Sequence, residues 1–179
     1  MLSRSAAVLV LVDFQGNLAQ SMDRKEELFA NTVKLIRGFQ ILNLPVVATE
    51  QTPEKLGTTI PLIARELGSG KPIAKETFSC WANPSFRDEL ESLTRRHVVL
   101  AGIESHVCVY QTALDLLRNG YTVHLAADAV SSRKPENRRI GIDAIRSGGA
   151  HLTSAEMVLF ELLGSAADSK SRDIFKIVK

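Results

Sequence analysis

Short apolar runs alternate along the chain with longer stretches whose apolar residues recur every three or four positions. Ala6–Asp13, Pro45–Thr49, Pro72–Lys75, His97–Gly102, Tyr121–Ala126 and Ala150–Thr153 are the short runs, apolar on both parities. A strand covered on one face alternates apolar with polar residues, whereas a strand buried on both faces does not. The six runs therefore predict a parallel sheet with helices on both sides. Between them, Glu26–Leu42 carries Leu28, Phe29, Val33, Leu35, Ile36 and Phe39, and Ser105–Asn119 carries Val107, Tyr110, Leu114 and Leu117 at helical spacing. Gly120 supplies a stop for the second. Asn137–Ser147 and Ser154–Leu163 complete the alternation, with Gly148-Gly149 and Gly164 as punctuation. Strand–helix repetition of this kind predicts a doubly wound α/β sheet. The tail Asp173–Lys179 holds a small apolar patch of Ile174, Phe175 and Ile177, expected to dock on the body or on a neighbouring subunit.

Composition narrows the class. A chain of 179 residues suits one domain spanning 1–179, and 45% hydrophobic with 23% charged residues is the profile of a soluble globular protein. Its formal net charge of +2 is too small to imply a polyanionic partner, so neither nucleic acid nor a membrane surface is expected. Arg4 followed by an apolar run faintly resembles a signal peptide, but the run ends at Asp13 without a cleavage pattern, and a buried strand explains it better. Two cysteines, Cys80 and Cys108, cannot make a disulfide framework, which points to a reducing cytoplasm.

Ligands of open α/β sheets gather outside the carboxyl ends of the strands. Three reactive residues fall there: Asp13 ends the first strand, Lys75 ends the third, and Cys108 follows the fourth at the start of a helix. Singly, each has a plainer explanation as a helix cap, a solvated charge or a small buried hydrophobe. Together, on strands expected to be adjacent, they offer a base, a cation and a thiol to one crevice. A thiol has a reference pKa of about 8.5. A helix N-terminus and a nearby ammonium both favour the thiolate, and a carboxylate can take the thiol proton and return it to a leaving group. Backbone N–H groups around Glu104 and Cys108 can hold a developing oxyanion, so the trio predicts acyl transfer through a thioester.

Val8–Gln15 (VLVLVDFQ), Lys75–Trp81 (KETFSCW) and Ala101–Val109 (AGIESHVCV) resemble the three signature segments of isochorismatase-like cysteine hydrolases. Thr49-Glu50-Gln51-Thr52-Pro53 with Leu56-Gly57, and Asp128–Arg133, are most similar to the branch of isochorismatase domain-containing proteins and their bacterial relatives. The resemblance implies a six-stranded sheet ordered 3-2-1-4-5-6 and a nucleophilic Cys108. It implies Asp13 as general base and acid, with Lys75 stabilising the thiolate and orienting Asp13. It also implies a cis peptide at Ile103–Glu104, an oxyanion hole of the Glu104 and Cys108 N–H groups, and a homo-oligomer, dimeric or higher. The substrate would be a small amide or related acyl compound, with no metal or organic cofactor required.

Departures from neighbouring patterns matter as much. Isochorismatase proper lacks the cysteine in its family pattern, so Cys108 argues against isochorismate cleavage. Nicotinamidases carry a histidine metal site after the second strand, where this chain reads Thr49-Glu50-Gln51 and has no histidine before His97. N-carbamoyl amide hydrolysis fits the mechanism but lacks a clear substrate-carboxylate clamp. His97, His106, His124 and His151 show no metal-ligand spacing and are expected to be structural. Gly68-Ser69-Gly70-Lys71 is followed by Pro72 and a strand rather than a helix, so it is a turn and not a phosphate loop. Phe14, Gln15, Gln51, Phe78, Trp81 and Tyr110 are candidates to line a substrate pocket, with Trp81 and Gln51 foremost, and Cys80 is a bystander. Two other functions fit the residues: an interaction protein with a vestigial trio, and a thiol redox sensor with Cys80 as resolving thiol.

Overall fold

The computed structural model describes residues 1–179. Six strands, β1 (Ala7–Val12), β2 (Val46–Gln51), β3 (Ile73–Lys75), β4 (His97–Ile103), β5 (Thr122–Ser131) and β6 (His151–Thr153), form one sheet. Its order is β3-β2-β1-β4-β5-β6, and every pair is parallel. The helices are α1 (Gly16–Gln20), α2 (Lys25–Ile41), α3 (Pro53–Leu56), α4 (Pro61–Leu67), α5 (Pro84–Ser92), α6 (Tyr110–Arg118), α7 (Pro135–Ser147), α8 (Ala155–Leu163) and α9 (Ser171–Val178).

The unbroken apolar run of β1 has a direct cause: all six of its residues are buried, three toward each layer. Leu9 and Leu11 join Val99, Ile36, Phe39, Leu159 and Ile174 on the side of α2, α8 and α9. Val8, Val10 and Val12 join Val98, Leu100, Phe86, Leu90 and Leu116 on the side of α5 and α6. The tail expected to dock does so on the body, as α9 seats Ile174 in the first layer.

β5 runs five residues beyond the expected end at Ala126, after a register shift between Leu100 and Gly102. Polar Asp128 and Ser131 hide this continuation from the hydrophobic pattern. Both are satisfied laterally: the Asp128 carboxylate accepts the Ala155 N–H at the start of α8 (2.9 Å), and the Ser131 hydroxyl donates to the Asp23 carbonyl (2.7 Å). The expected helix over Ser105–Asn119 begins as a π-helical turn, Ser105–Val109, before α6 takes over.

That turn is clamped from outside. A Cβ on Gly141 of α7 would lie 2.6 Å from the Ser105 carbonyl carbon and 2.7 Å from the His106 nitrogen. Backbone cannot yield as a flexible side chain does. Gly141→Ala is therefore expected to destabilise the fold by about 1–3 kcal/mol despite alanine's better helix propensity. The urea midpoint checks this, and an unchanged or higher midpoint would count against so tight a contact.

The direction in which strands are added to the sheet reverses at β1, since β2 and β3 lie to one side of it and β4 to the other. The crevice at that switch point is where this sheet type places ligands.

Candidate active site

Asp13 leaves β1 in a left-handed conformation, φ 57°, a region that few non-glycine residues occupy. Its carboxylate is buried and its two oxygens have separate donors. Oδ1 accepts the Thr49 hydroxyl (2.7 Å) and Oδ2 accepts Lys75 Nζ (2.7 Å). The Lys75 and Asp13 side chains are 0% and 2% exposed, so this ion pair is withdrawn from water.

Lys75 and Asp13 are not on adjacent strands as expected, because β2 runs between β1 and β3. The long lysine side chain spans the gap, and β2 fills it with Thr49 and Gln51. Gln51 Oε1 accepts a second bond from Lys75 Nζ (2.7 Å), and the carbonyls of Thr77 (3.1 Å) and Phe78 (3.3 Å) accept more. An ammonium has three donors. Lys75 is thus saturated by groups that hold Asp13 on one side and the loop after β3 on the other.

Cys108 sits in the π-helical turn after β4, where the Val109 N–H reaches back to the Glu104 carbonyl (3.2 Å). The thiol is buried. Burial pushes its pKa up, the Asp13 carboxylate acts in the same direction, and Lys75 opposes them only in part. Desolvation thus outweighs the ammonium that was expected to favour the thiolate. Cys80 is wholly buried, its Sγ 3.6 Å from the Thr49 hydroxyl, and burial lifts its thiol to about 11. It is close to the site but not activated.

The Ile103–Glu104 peptide is cis. The Glu104 carboxylate accepts both the Arg133 backbone N–H (3.1 Å) and its guanidinium Nε (3.1 Å), while the Glu104 N–H has no acceptor within the chain.

Of the six expected pocket residues, Gln51 is part of the site through Lys75. Gln15 is wholly buried and works as a bolt, with its side chain bonded to the Gln51 N–H (2.6 Å), the Gln51 carbonyl (3.1 Å) and the Gly57 carbonyl (2.6 Å). Phe14 is buried, its ring in the core layer under α2. Trp81 is half-buried against the α5/α6 layer. Its ring meets Tyr121 edge-on (centroids 5.4 Å). Tyr110 is half-buried against the α5/α6 layer, and Phe78 is 55% exposed. A cavity of about 400 Å³ along the sheet edge touches Lys75, Glu54, Glu76 and Asn83, but neither Asp13 nor Cys108. Thr49, Arg133 and the Thr77 and Phe78 carbonyls are the parts of the site that sequence reasoning missed. The only signal for Thr49 was a hydroxyl at a strand end beside the strand of Asp13.

His106 is a strut, its Nδ1 3.0 Å from the Ser132 hydroxyl and its Nε2 3.2 Å from the Asn137 amide. The other three histidines stack across β4, β5 and β6: His97 Nδ1 lies 3.2 Å from His124 Nε2, and the His124 and His151 rings are 5.2 Å apart. Burial, followed by charge repulsion from His151 and His97, depresses His124 to about 4, with Glu161 opposing and the N-terminal amine adding to the repulsion. An unfolded chain takes up this proton below about 6.5, the folded chain only near 4, so acid favours unfolding. Stability is expected to be full above pH 6.5 and to fall by on the order of 2 kcal/mol down to pH 4. His124→Gln should flatten that part of the profile in urea titrations at successive pH values. An equal slope in the variant would remove His124 as its source.

Sheet order, helix layers and a polar site at the switch point define a doubly wound α/β protein. The isochorismatase domain family matches residues 7–157. Isochorismatase domain-containing protein 2 of Xenopus laevis is 38% identical over 99% of this chain and 85% of its own length. The MAR1 ribonuclease of Caenorhabditis elegans superposes with a TM-score of 0.92 at 34% identity, covering 99% of this chain and 91% of that one. Escherichia coli YcaC, described as an octameric hydrolase of unknown specificity, gives a TM-score of 0.92 at 22% identity, over 98% of this chain and 89% of its own. The chain belongs to the isochorismatase family.

Proposed function

We propose that this chain hydrolyses a small amide or related acyl compound through a thioester on Cys108. Support comes above all from one observation: the Asp13 carboxylate, held by Lys75 and Thr49 at 2.7 Å each, is the charged group that most affects the Cys108 thiol. Cys108 Sγ attacks the carbonyl carbon as its proton passes to Asp13, and the oxyanion forms against the free Glu104 N–H and the Cys108 N–H. The C–N bond then breaks and Asp13 returns the proton to the leaving amine. Water attacks the thioester, giving its proton to Asp13, and the acid leaves with the thiol restored. Lys75 keeps Asp13 aimed, and acts on Cys108 through its charge rather than by contact. No metal or organic cofactor takes part in these steps.

One domain over 1–179, a cytoplasmic location consistent with two free thiols, and assembly into a homo-oligomer belong to the same proposal. The octameric state described for the E. coli protein supports assembly. No helix is long and apolar enough to cross a membrane. A ribonuclease activity, as named for the C. elegans protein, is less well supported here, because the net charge is only +2. A redox-sensing Cys80 is disfavoured by its complete burial.

A panel of primary amides, N-carbamoyl compounds and RNA, assayed for ammonia, acid or cleaved strand with Cys108→Ala as control, tests the proposal. Amide turnover that disappears in the variant supports it. Turnover that survives, or cleavage of RNA alone, sinks it.

A further inference from the structure

Asp13 has to occupy one sealed place in two charge states, since the proposed reaction gives it a proton and takes it back. Its side chain is 2% exposed, so bulk water does not adjust to the change. Lys75 fits only the charged state. Its ammonium donates and never accepts, and Gln51 Oε1 and the Thr77 and Phe78 carbonyls hold it in place. Thr49 is the other partner. Its backbone carbonyl accepts the Asp13 N–H (3.3 Å), and its hydroxyl donates to Asp13 Oδ1 (2.7 Å). The same hydroxyl lies 3.6 Å from Cys80 Sγ, where either atom can be the donor. Burial lifts the Cys80 thiol to about 11, so it is a neutral group that gives and accepts a weak hydrogen bond. Thr49 and Cys80 are 1% and 0% exposed. A hydroxyl with a carboxylate on one side and a thiol on the other has a second orientation at hand.

We propose that Thr49 is a positioning residue with two settings, an inference that rests on Cys108 as nucleophile and Asp13 as base. While Asp13 is charged, the Thr49 hydroxyl donates to Oδ1. When Asp13 carries the Cys108 proton on Oδ1, the O–H of Thr49 turns to Cys80 Sγ and its oxygen accepts from Asp13. The proton settles on Oδ1 because Oδ2 faces a fixed cation. Nothing leaves Thr49 or Cys80. One O–H rotates, and the proton in transit moves between Cys108, Asp13 and the leaving amine. Cys80, which takes no part in the chemistry, supplies the second acceptor for that O–H. A valine at position 49 would keep the branched shape and lose the one neighbour that answers both charge states.

Acetylation of Cys108 by 4-nitrophenyl acetate tests this, read as the burst of 4-nitrophenolate and by intact mass, with Cys108→Ala as control. Thr49→Val is expected to lower the maximal burst rate at least about tenfold, the scale of a hydrogen bond to a charged group. The half-saturating concentration should stay unchanged, because Thr49 does not meet the probe. Thr49→Ser keeps the hydroxyl and should stay within about threefold of the wild-type rate, although it gives up a buried methyl. Packing alone predicts the reverse order, since valine retains the branched shape and serine does not. Cys80→Ala should slow the burst severalfold in the wild type and add nothing to Thr49→Val, because its effect passes through Thr49. A Thr49→Val rate near the wild-type value, or a Thr49→Ser rate as low as that of Thr49→Val, overturns the assignment alone. An equal effect of Cys80→Ala in both backgrounds overturns it too. Absence of a Cys108-dependent burst in the wild type overturns it together with the nucleophile on which it rests.

Discussion

Lys75→Met is expected to cost about 3–5 kcal/mol of folding stability, the range found when one member of a buried ion pair is removed. Methionine nearly matches the aliphatic length of lysine, so the loss would come from charge and hydrogen bonding rather than from a cavity. In the variant the Asp13 carboxylate stays buried with Thr49 as its remaining side-chain donor, and Gln51 Oε1 and the Thr77 and Phe78 carbonyls lose the ammonium they share. Adding Asp13→Asn removes the stranded charge. The double variant should then recover a large part of the loss, because contacting residues couple non-additively. Urea denaturation of wild type, both single variants and the double variant measures this. A single-variant loss below about 1 kcal/mol would show a pair solvated like a surface ion pair, contrary to its burial.

What the sequence made legible follows from what periodicity can report. β1, β4 and the first half of β5 are apolar on both parities because both of their faces are covered, and α2 is long enough for its stripe to stand out. Helices as short as α1 and α3 offer a turn or so of pattern and escaped notice. The π-helical turn under Cys108 breaks the 3.6-residue spacing by one residue, which apolar counting does not register. Asp13, Lys75 and Cys108 were readable because strand ends can be located without knowing how strands pair. Thr49 was not, since its meeting with Asp13 depends on the register that sets Val12 opposite Thr49. Proximity in sequence to a strand end does not decide which layer a ring enters: Phe14 lies in the layer under α2, and Trp81 packs against the layer of α5 and α6.

The second large effect separates two ways in which a cysteine can act. Cys108→Ala is expected to lower turnover of an accepted amide by at least about a thousandfold, since the residual catalysis of a hydrolase without its nucleophile comes from binding and the oxyanion hole alone. The more informative variant is Asp13→Asn. Burial and the Asp13 charge both keep the Cys108 thiol protonated. Wild-type Cys108 should therefore resist iodoacetamide at neutral pH and react only above the ordinary thiol range. Loss of the Asp13 charge moves that onset to lower pH, so the thiol becomes more reactive toward an alkylating agent. Amide turnover should nonetheless collapse, because the group that takes the thiol proton during attack and returns it to the leaving amine is gone. Alkylation rates followed by intact mass across pH, set beside ammonia release by the same samples, measure both. If the onset moved to lower pH and turnover rose with it, the nucleophile would act as a preformed thiolate, and the role given to Asp13 would be wrong.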